Sequence, residues 1–201
     1  MIDLYAWGTP NGIKPLIMLE ELGEKYELKR VDISKGEQKT DAYLAINPNG
    51  KIPSLVDHDA KVTLFESGAI LHYLAEKYGR FLPTDAPAKA RAMAWLFFQV
   101  GGVGPMFGQA GHFAKREDSD YAKKRYFDET ARLYGVLEKR LTQATFLAGD
   151  DYSIADIATF PWVRNPSYFG LSLDAFPALS DWVHRIAERP AVQRALAVKF
   201  G

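Results

Sequence analysis

Three short stretches carry residues whose types and spacing suit chemistry: GTPNGIKP (8–15), NGKIP (49–53) and FESGA (65–69). The first places Thr9 and Asn11 between an apolar run and a helical pattern, and offers no cysteine, serine, tyrosine or histidine. Cysteine is absent from the whole chain, which excludes disulfides, thiolate metal sites and a cysteine nucleophile. What the loop can supply is hydrogen-bond donors: a hydroxyl, an amide, and backbone N–H groups at a helix start. Such donors stabilise an anion, a thiolate included.

In NGKIP, Asn-Gly forms a turn and Pro53 opens a strand. If the Ile52–Pro53 bond is cis, the Ile52 N–H and C=O can turn outward as free strand-edge groups and pair with an extended, peptide-like ligand. A plain trans proline at a strand start is the alternative. In FESGA, Glu66-Ser67-Gly68 stands where a strand hands over to a helix. Serine is a favoured N-cap, and the first helical N–H groups with the helix dipole suit a carboxylate. Glu66 beside them suits an ammonium; simple capping is the alternative. Together the two motifs describe a ligand with an α-amino acid at one end and peptide backbone in the middle. Glutathione is such a molecule.

Other features point to structure. SIAD (153–156) is a capping-box pattern before an apolar run. The glycines of QVGGVGPMFGQAGH (99–112) match no phosphate loop. They suit close helix crossing, which would shape the floor of a site or a dimer interface, and Pro105 should kink or break the helix. The four histidines (58, 72, 112, 184) lack ligand spacing, so no metal is expected. WLFF (95–98) and FPW (160–162) read as core, with His112, Phe113, Trp162 and Tyr168 as candidates to line a second pocket.

The elements that must position these residues follow from periodicity. Residues 2–7 form a strand, and 13–23 carry apolar residues at helical spacing. Pro15 belongs in a first helical turn, which puts the helix start near Ile13. A strand at 26–32, a short helix at 38–46, strands at 54–57 and 62–66, and a helix at 67–79 complete a βαβαββα order. Residues 80–90 read as a linker, and the pattern thereafter is helical. The boundary falls near residue 82, with an α/β domain over 1–82 and an all-helical domain over 83–201. With 201 residues and 25 basic against 25 acidic side chains, nothing suggests nucleic-acid binding. No membrane span or signal peptide is read, so a cytoplasmic protein is expected.

The combination TPNGIK…GEQK…NPNGKIPSLVD…LFESGAILHYLAEKYG resembles the thioredoxin-like domain of cytosolic glutathione transferases. LFFQVGGVGPMFGQ (96–109) and LAGDDYSIADIATFPW (147–162) extend the likeness through the second domain. Thr-Pro-Asn-Gly and the glycine-rich QVGGVGP are similar to the bacterial Nu class of glutathione-dependent disulfide-bond oxidoreductases. That resemblance implies a homodimer binding glutathione as co-substrate. Ile52 beside a cis Pro53 would pair with the cysteinyl unit, Glu66 and Ser67 would hold the γ-glutamyl end, and Gln38 and Lys51 would reach the glycyl carboxylate. Arg125 matches an arginine that contacts glutathione, within or across subunits; Gln38, Lys51 and Arg125 could equally be solvated surface groups. Thr9 and Asn11 would be the catalytic donors to a sulfur that arrives with glutathione. The activated thiolate suits disulfide or peroxide reduction in preference to conjugation, with attack on a carbon electrophile left open. A non-catalytic binding or regulatory module on the same fold is the alternative.

Overall fold

The computed structural model describes residues 1–169 and 171–201, and the chain divides into two units: Met1–Arg80 with Arg189–Gly201, and Phe81–Glu188. The first unit contains β1 (Ile2–Ala6), α1 (Pro10–Leu22), β2 (Tyr26–Arg30), α2 (Asp41–Leu44), β3 (Ser54–Asp57), β4 (Val62–Phe65) and α3 (Ser67–Tyr78). A 3₁₀ turn at Glu37–Lys39 precedes α2. The sheet runs β2-β1-β3-β4, with β1 parallel to β2 and antiparallel to β3, and β3–β4 a hairpin. This mixed four-stranded sheet is the thioredoxin-like arrangement. Leu4, Ile17, Leu55, Ile70 and Leu74 are fully buried in its core.

Two helix starts differ from the pattern. Helix α1 begins at Pro10 and not near Ile13: Thr9 is the N-cap, Pro10 takes the first position where an N–H is dispensable, and Pro15 lies inside the helix. Pro15 forfeits the ladder bond to residue 11, but Leu16, Ile17 and Leu19 are wholly buried, so tertiary packing outweighs that loss. Helix α3 begins at Ser67 with Glu66 as N-cap, so Ser67 is the first helical residue and not the cap. Its hydroxyl is bonded elsewhere.

Residues 189–201, which the periodicity leaves with the helical domain, return to the first unit. Helix α9 (Pro190–Ala197) packs on α1, where Arg189 grips Glu21 at 2.5 and 2.8 Å and Arg194 reaches Glu20 at 2.7 Å. Beyond it the Phe200 ring stacks edgewise on Trp7, 5.9 Å between centroids.

The second unit contains α4 (Ala86–Phe98), α5 (Gly104–Ala114), α6 (Asp120–Leu141), α7 (Ile154–Val163) and α8 (Pro177–Ala187). Asp85 caps α4 through the Ala88 N–H, so the linker-like stretch is helical from Ala86. A π-helical turn at Gln99–Val103 joins α4 to α5 immediately before Pro105, so the proline accompanies a local change of helix type and does not break the helix. The core holds Trp182, Tyr134, Phe107 and Phe160. Ser153 and Asp156 form the capping box of α7, and Asp156 also accepts from Leu147 N–H and Trp182 Nε1, both at 2.9 Å.

Candidate functional site

Strand register gathers the three sequence motifs at one end of the sheet. Tyr5 is opposite Ser54, and Ser54 is opposite Phe65, so these residues form one row across β1, β3 and β4. The loop leaving β1, the Ile52–Pro53 step entering β3 and the Glu66–Ser67 step leaving β4 therefore share an edge. With strands about 4.8 Å apart, that edge spans about 10 Å, the scale of a tripeptide-sized ligand.

In the first loop, Thr9 Oγ1 accepts the Gly12 N–H at 3.3 Å and Thr9 C=O accepts the Ile13 N–H at 3.0 Å. The cap bond uses a hydroxyl lone pair and leaves the O–H hydrogen to donate. Asn11 is half-buried in the first turn of α1, at the positive end of a 13-residue helix. Gly12 lets this turn press against Trp7, because a Cβ there would stand 2.1 Å from the Trp7 carbonyl oxygen.

The Ile52–Pro53 bond is cis. Among the described residues, none bonds the Ile52 N–H or C=O. The segment carrying it is fastened from below: the Lys51 carbonyl accepts from Tyr43 Oη at 2.8 Å and from Asn47 Nδ2 at 2.5 Å, and Tyr43 Oη also bonds Ser54 Oγ at 2.9 Å. An open donor–acceptor pair is thus held on a fixed strand entrance, as β-augmentation requires.

Glu66 adopts φ 70° and ψ 115° and makes no side-chain cap bond. Positive φ in a non-glycine residue costs on the order of 1–3 kcal/mol and concentrates at functional sites. Ser67 is buried, and its Oγ accepts from the Lys14 ammonium at 3.1 Å. Lys14, which motif reasoning passed over, is 1% exposed. Its signal was its place on the apolar stripe of α1, with Ile17 and Met18 at i+3 and i+4. Burial pushes its pKa down to about 7, and the Glu66 charge draws it partly back up.

Gln38 sits in the 3₁₀ turn, half-buried, with Nε2 in a long 3.5 Å bond to the Ile33 carbonyl and Oε1 without a partner among the described residues. The Lys51 side chain is exposed at the same segment as Ile52. Thr9, Asn11, Gln38, Lys51, Ile52, Pro53, Glu66 and Ser67 all belong to the first unit.

Arg125 is in the second unit, exposed on α6, where it lines a cleft of about 600 Å³ with Met106, Tyr121 and Tyr126. The carboxylates of that cleft are taken: Glu129 holds Arg132 through two 2.7 Å bonds, and Asp128 holds Lys124 at 2.6 Å. Among the described residues, no carboxylate pairs with Arg125. The glycines of α5 admit aromatic side chains: a Cβ on Gly111 would meet Tyr168 at 2.7 Å and one on Gly104 would meet Trp162 at 3.5 Å. His112 and Phe113 lie at the end of α5, with Phe113 stacked on Tyr126 at 5.4 Å.

Comparison with known proteins finds relatives over nearly the whole chain. The family model described as Glutathione S-transferase, N-terminal domain, matches residues 1–76, and that of the C-terminal domain matches residues 103–190. The chain is 49% identical to the disulfide-bond oxidoreductase YfcG of Escherichia coli strain K12, over 98% of this chain and 94% of that protein. A glutathione transferase family member from Pseudomonas fluorescens pf-5, solved with two glutathione bound, superposes with a TM-score of 0.91 at 43% identity, covering 98% and 93% of the two chains. A glutathione transferase from Pseudomonas putida, solved with one glutathione disulfide per subunit, gives 0.91 at 41% identity, covering 98% and 91%.

Proposed function

The chain belongs to the glutathione transferase family, and we propose that it is a glutathione-dependent disulfide-bond oxidoreductase whose nucleophile is the thiolate of bound glutathione. The observation that carries this is the open Ile52 backbone edge, which shares one end of the sheet with the Glu66–Ser67 helix start and the Thr9–Asn11 loop.

In this reading Ile52 pairs with the cysteinyl unit beside Pro53. Glu66 takes the γ-glutamyl ammonium, and Ser67 with the first N–H groups of α3 takes its carboxylate. Gln38 and Lys51 take the glycyl carboxylate, and Arg125 is assigned a glutathione contact either in its own chain or in a partner subunit. The Thr9 hydroxyl, Asn11 and the N-terminus of α1 then favour thiolate over thiol, whose ordinary pKa is about 8.5. The thiolate attacks one sulfur of a disulfide, a new S–S bond forms as the old one breaks, and the departing thiolate takes a proton from water. A second glutathione thiolate attacks the glutathione sulfur of this mixed disulfide, giving glutathione disulfide and the second thiol. Two glutathiones are oxidised and one disulfide is reduced, with no protein cysteine needed.

The two-glutathione and glutathione-disulfide complexes of the relatives support reduction over conjugation, because both need room for two cysteinyl units. The same thiolate can reduce an organic peroxide. Exposed Phe97 and Tyr121 on α4 and α6 support self-association as a homodimer. The cytoplasm, where glutathione is kept reduced, is the compartment this chemistry suits. The test is turnover of bis(2-hydroxyethyl) disulfide with glutathione. Reduction well above conjugation of a chloronitrobenzene is expected; conjugation alone overturns the assignment. Absence of all turnover and of thermal stabilisation by glutathione identifies a non-catalytic module.

A further inference from the structure

Lys14 is a charge where physics disfavours one. It is 1% exposed, and its Nζ lies 3.1 Å from the hydroxyl of Ser67, the first residue of α3. A cation at a helix N-terminus meets the positive end of the dipole, and a buried ion loses its hydration. An apolar residue such as methionine would occupy the same stripe, beside Ile17 and Met18, without either cost.

The bond does have a consequence for Ser67. An ammonium has three donors and no lone pair, so Ser67 Oγ must be the acceptor. The serine hydrogen is then turned away from Lys14. Without the ammonium, the Ser67 O–H could rotate inward and present a lone pair outward, which repels a carboxylate.

We propose that Lys14 is a positioning residue: its ammonium, bonded to Ser67 Oγ, makes Ser67 an obligate donor to the carboxylate of the ligand's γ-glutamyl end. The proposal rests on the assignment of Ser67 to that end. Lys14 acts through Ser67, and its charge also offsets the arriving carboxylate at long range.

Charge on Lys14 is set by its neighbours. Glu66, at the β4–α3 junction, is the group whose charge acts on it, against desolvation. Of the other ionisable groups on the elements packed on α1, His72 of α3 lies 3.6 Å from Glu76 of the same helix and Tyr78 lies under the Lys77 ammonium. Glu20 and Glu21 hold Arg194 and Arg189 of α9, Asp3 of β1 faces His58, and Asp57 of β3 holds Lys77 and Tyr73 of α3. Tyr5 of β1 stacks edgewise on Tyr43. With its pKa lowered to about 7, Lys14 loses its proton in the neutral range unless a carboxylate arrives to retain it.

The probe is S-methylglutathione, which has no thiol to titrate, with binding measured by calorimetry from pH 6 to 8.5. Wild type is expected to lose about tenfold in affinity across this range and to take up protons on binding near pH 8. Lys14→Met should bind about tenfold more weakly at pH 6, with a smaller pH dependence and a smaller proton uptake than wild type, the remainder coming from the ligand's own amino group, whose ordinary pKa is about 8. Ser67→Ala should remove most of the Lys14→Met effect, so that adding Lys14→Met to Ser67→Ala costs far less than adding it to wild type, what is left being the long-range charge term. A Lys14→Met protein with wild-type affinity and pH profile overturns the proposal. So does wild-type binding without proton uptake, a result that needs no variant to fold. If wild type fails to bind S-methylglutathione at any pH, the assignment of the site itself falls.

Discussion

Gly12 lies against Trp7 so closely that a β-carbon built on it would stand 2.1 Å from the Trp7 carbonyl oxygen. The first turn of α1, which carries Thr9 and Asn11, is seated by that contact. Gly12→Ala must move either the strand end or the helix start. The expected cost is about 1–3 kcal/mol of stability, with glutathione-dependent turnover falling further than stability alone explains. Urea unfolding with a parallel rate assay checks it; an unchanged midpoint would show that the turn has room.

Asn11 is placed in the first helical turn, at the end of the sheet that holds Ile52 and Ser67. If it stabilises the sulfur, Asn11→Ala lowers kcat by about tenfold or more while the glutathione Kd changes little. Turnover equal to wild type would remove Asn11 from the mechanism.

Asp57 is fully buried. Burial raises its pKa, but bonds from Lys77, from Tyr73 at 2.8 Å and from the Ala60 N–H outweigh this and hold it at about 2. A depressed carboxylate stabilises the fold above its ordinary pKa of 3.8, and that contribution is lost as pH falls from about 4 to about 2. Roughly 2 kcal/mol should vanish across this window. Urea midpoints at pH 5 and pH 2.5 measure it, and Asp57→Asn should flatten the difference between them.

Asp156 serves as the control, because all four of its hydrogen-bond partners lie within the second unit. Its four acceptor bonds satisfy Leu147 N–H, both Ser153 donors and Trp182 Nε1 at 2.9–3.0 Å. Asp156→Ala strands buried donors at about 1–3 kcal/mol each. A large fall in Tm is expected, with the glutathione KM unchanged at temperatures where the variant is folded. A raised KM in the folded protein would place Asp156 in the binding path.

The residues that repeat with strand and helix periods were legible in the sequence, and so was the order βαβαββα, because burial imposes those periods directly. The helix starts were not. Pro15 drew the start of α1 forward to Ile13, since propensity cannot register how much Leu16 and Ile17 gain by burial. Ser67 looked like a cap, yet Glu66 takes that position and the hydroxyl serves Lys14 across 53 residues of sequence. Tyr43 and Asn47, which fasten Lys51, and α9, which returns to α1, depend on long-range contacts that leave no local period. Ile52, Glu66 and the Thr9 loop were readable because each sits at a Gly, Pro or cap-rich junction between elements.

In the proposed mechanism the protein activates a thiol it does not own. Ultraviolet absorbance of the glutathione thiolate, titrated in the presence of saturating protein, tests it most directly, since the chain contributes no cysteine to the signal. The bound thiol should titrate at least one unit below the free value of about 8.5, and Asn11→Ala should move it back upward. A bound thiol that titrates with the free one would contradict the account.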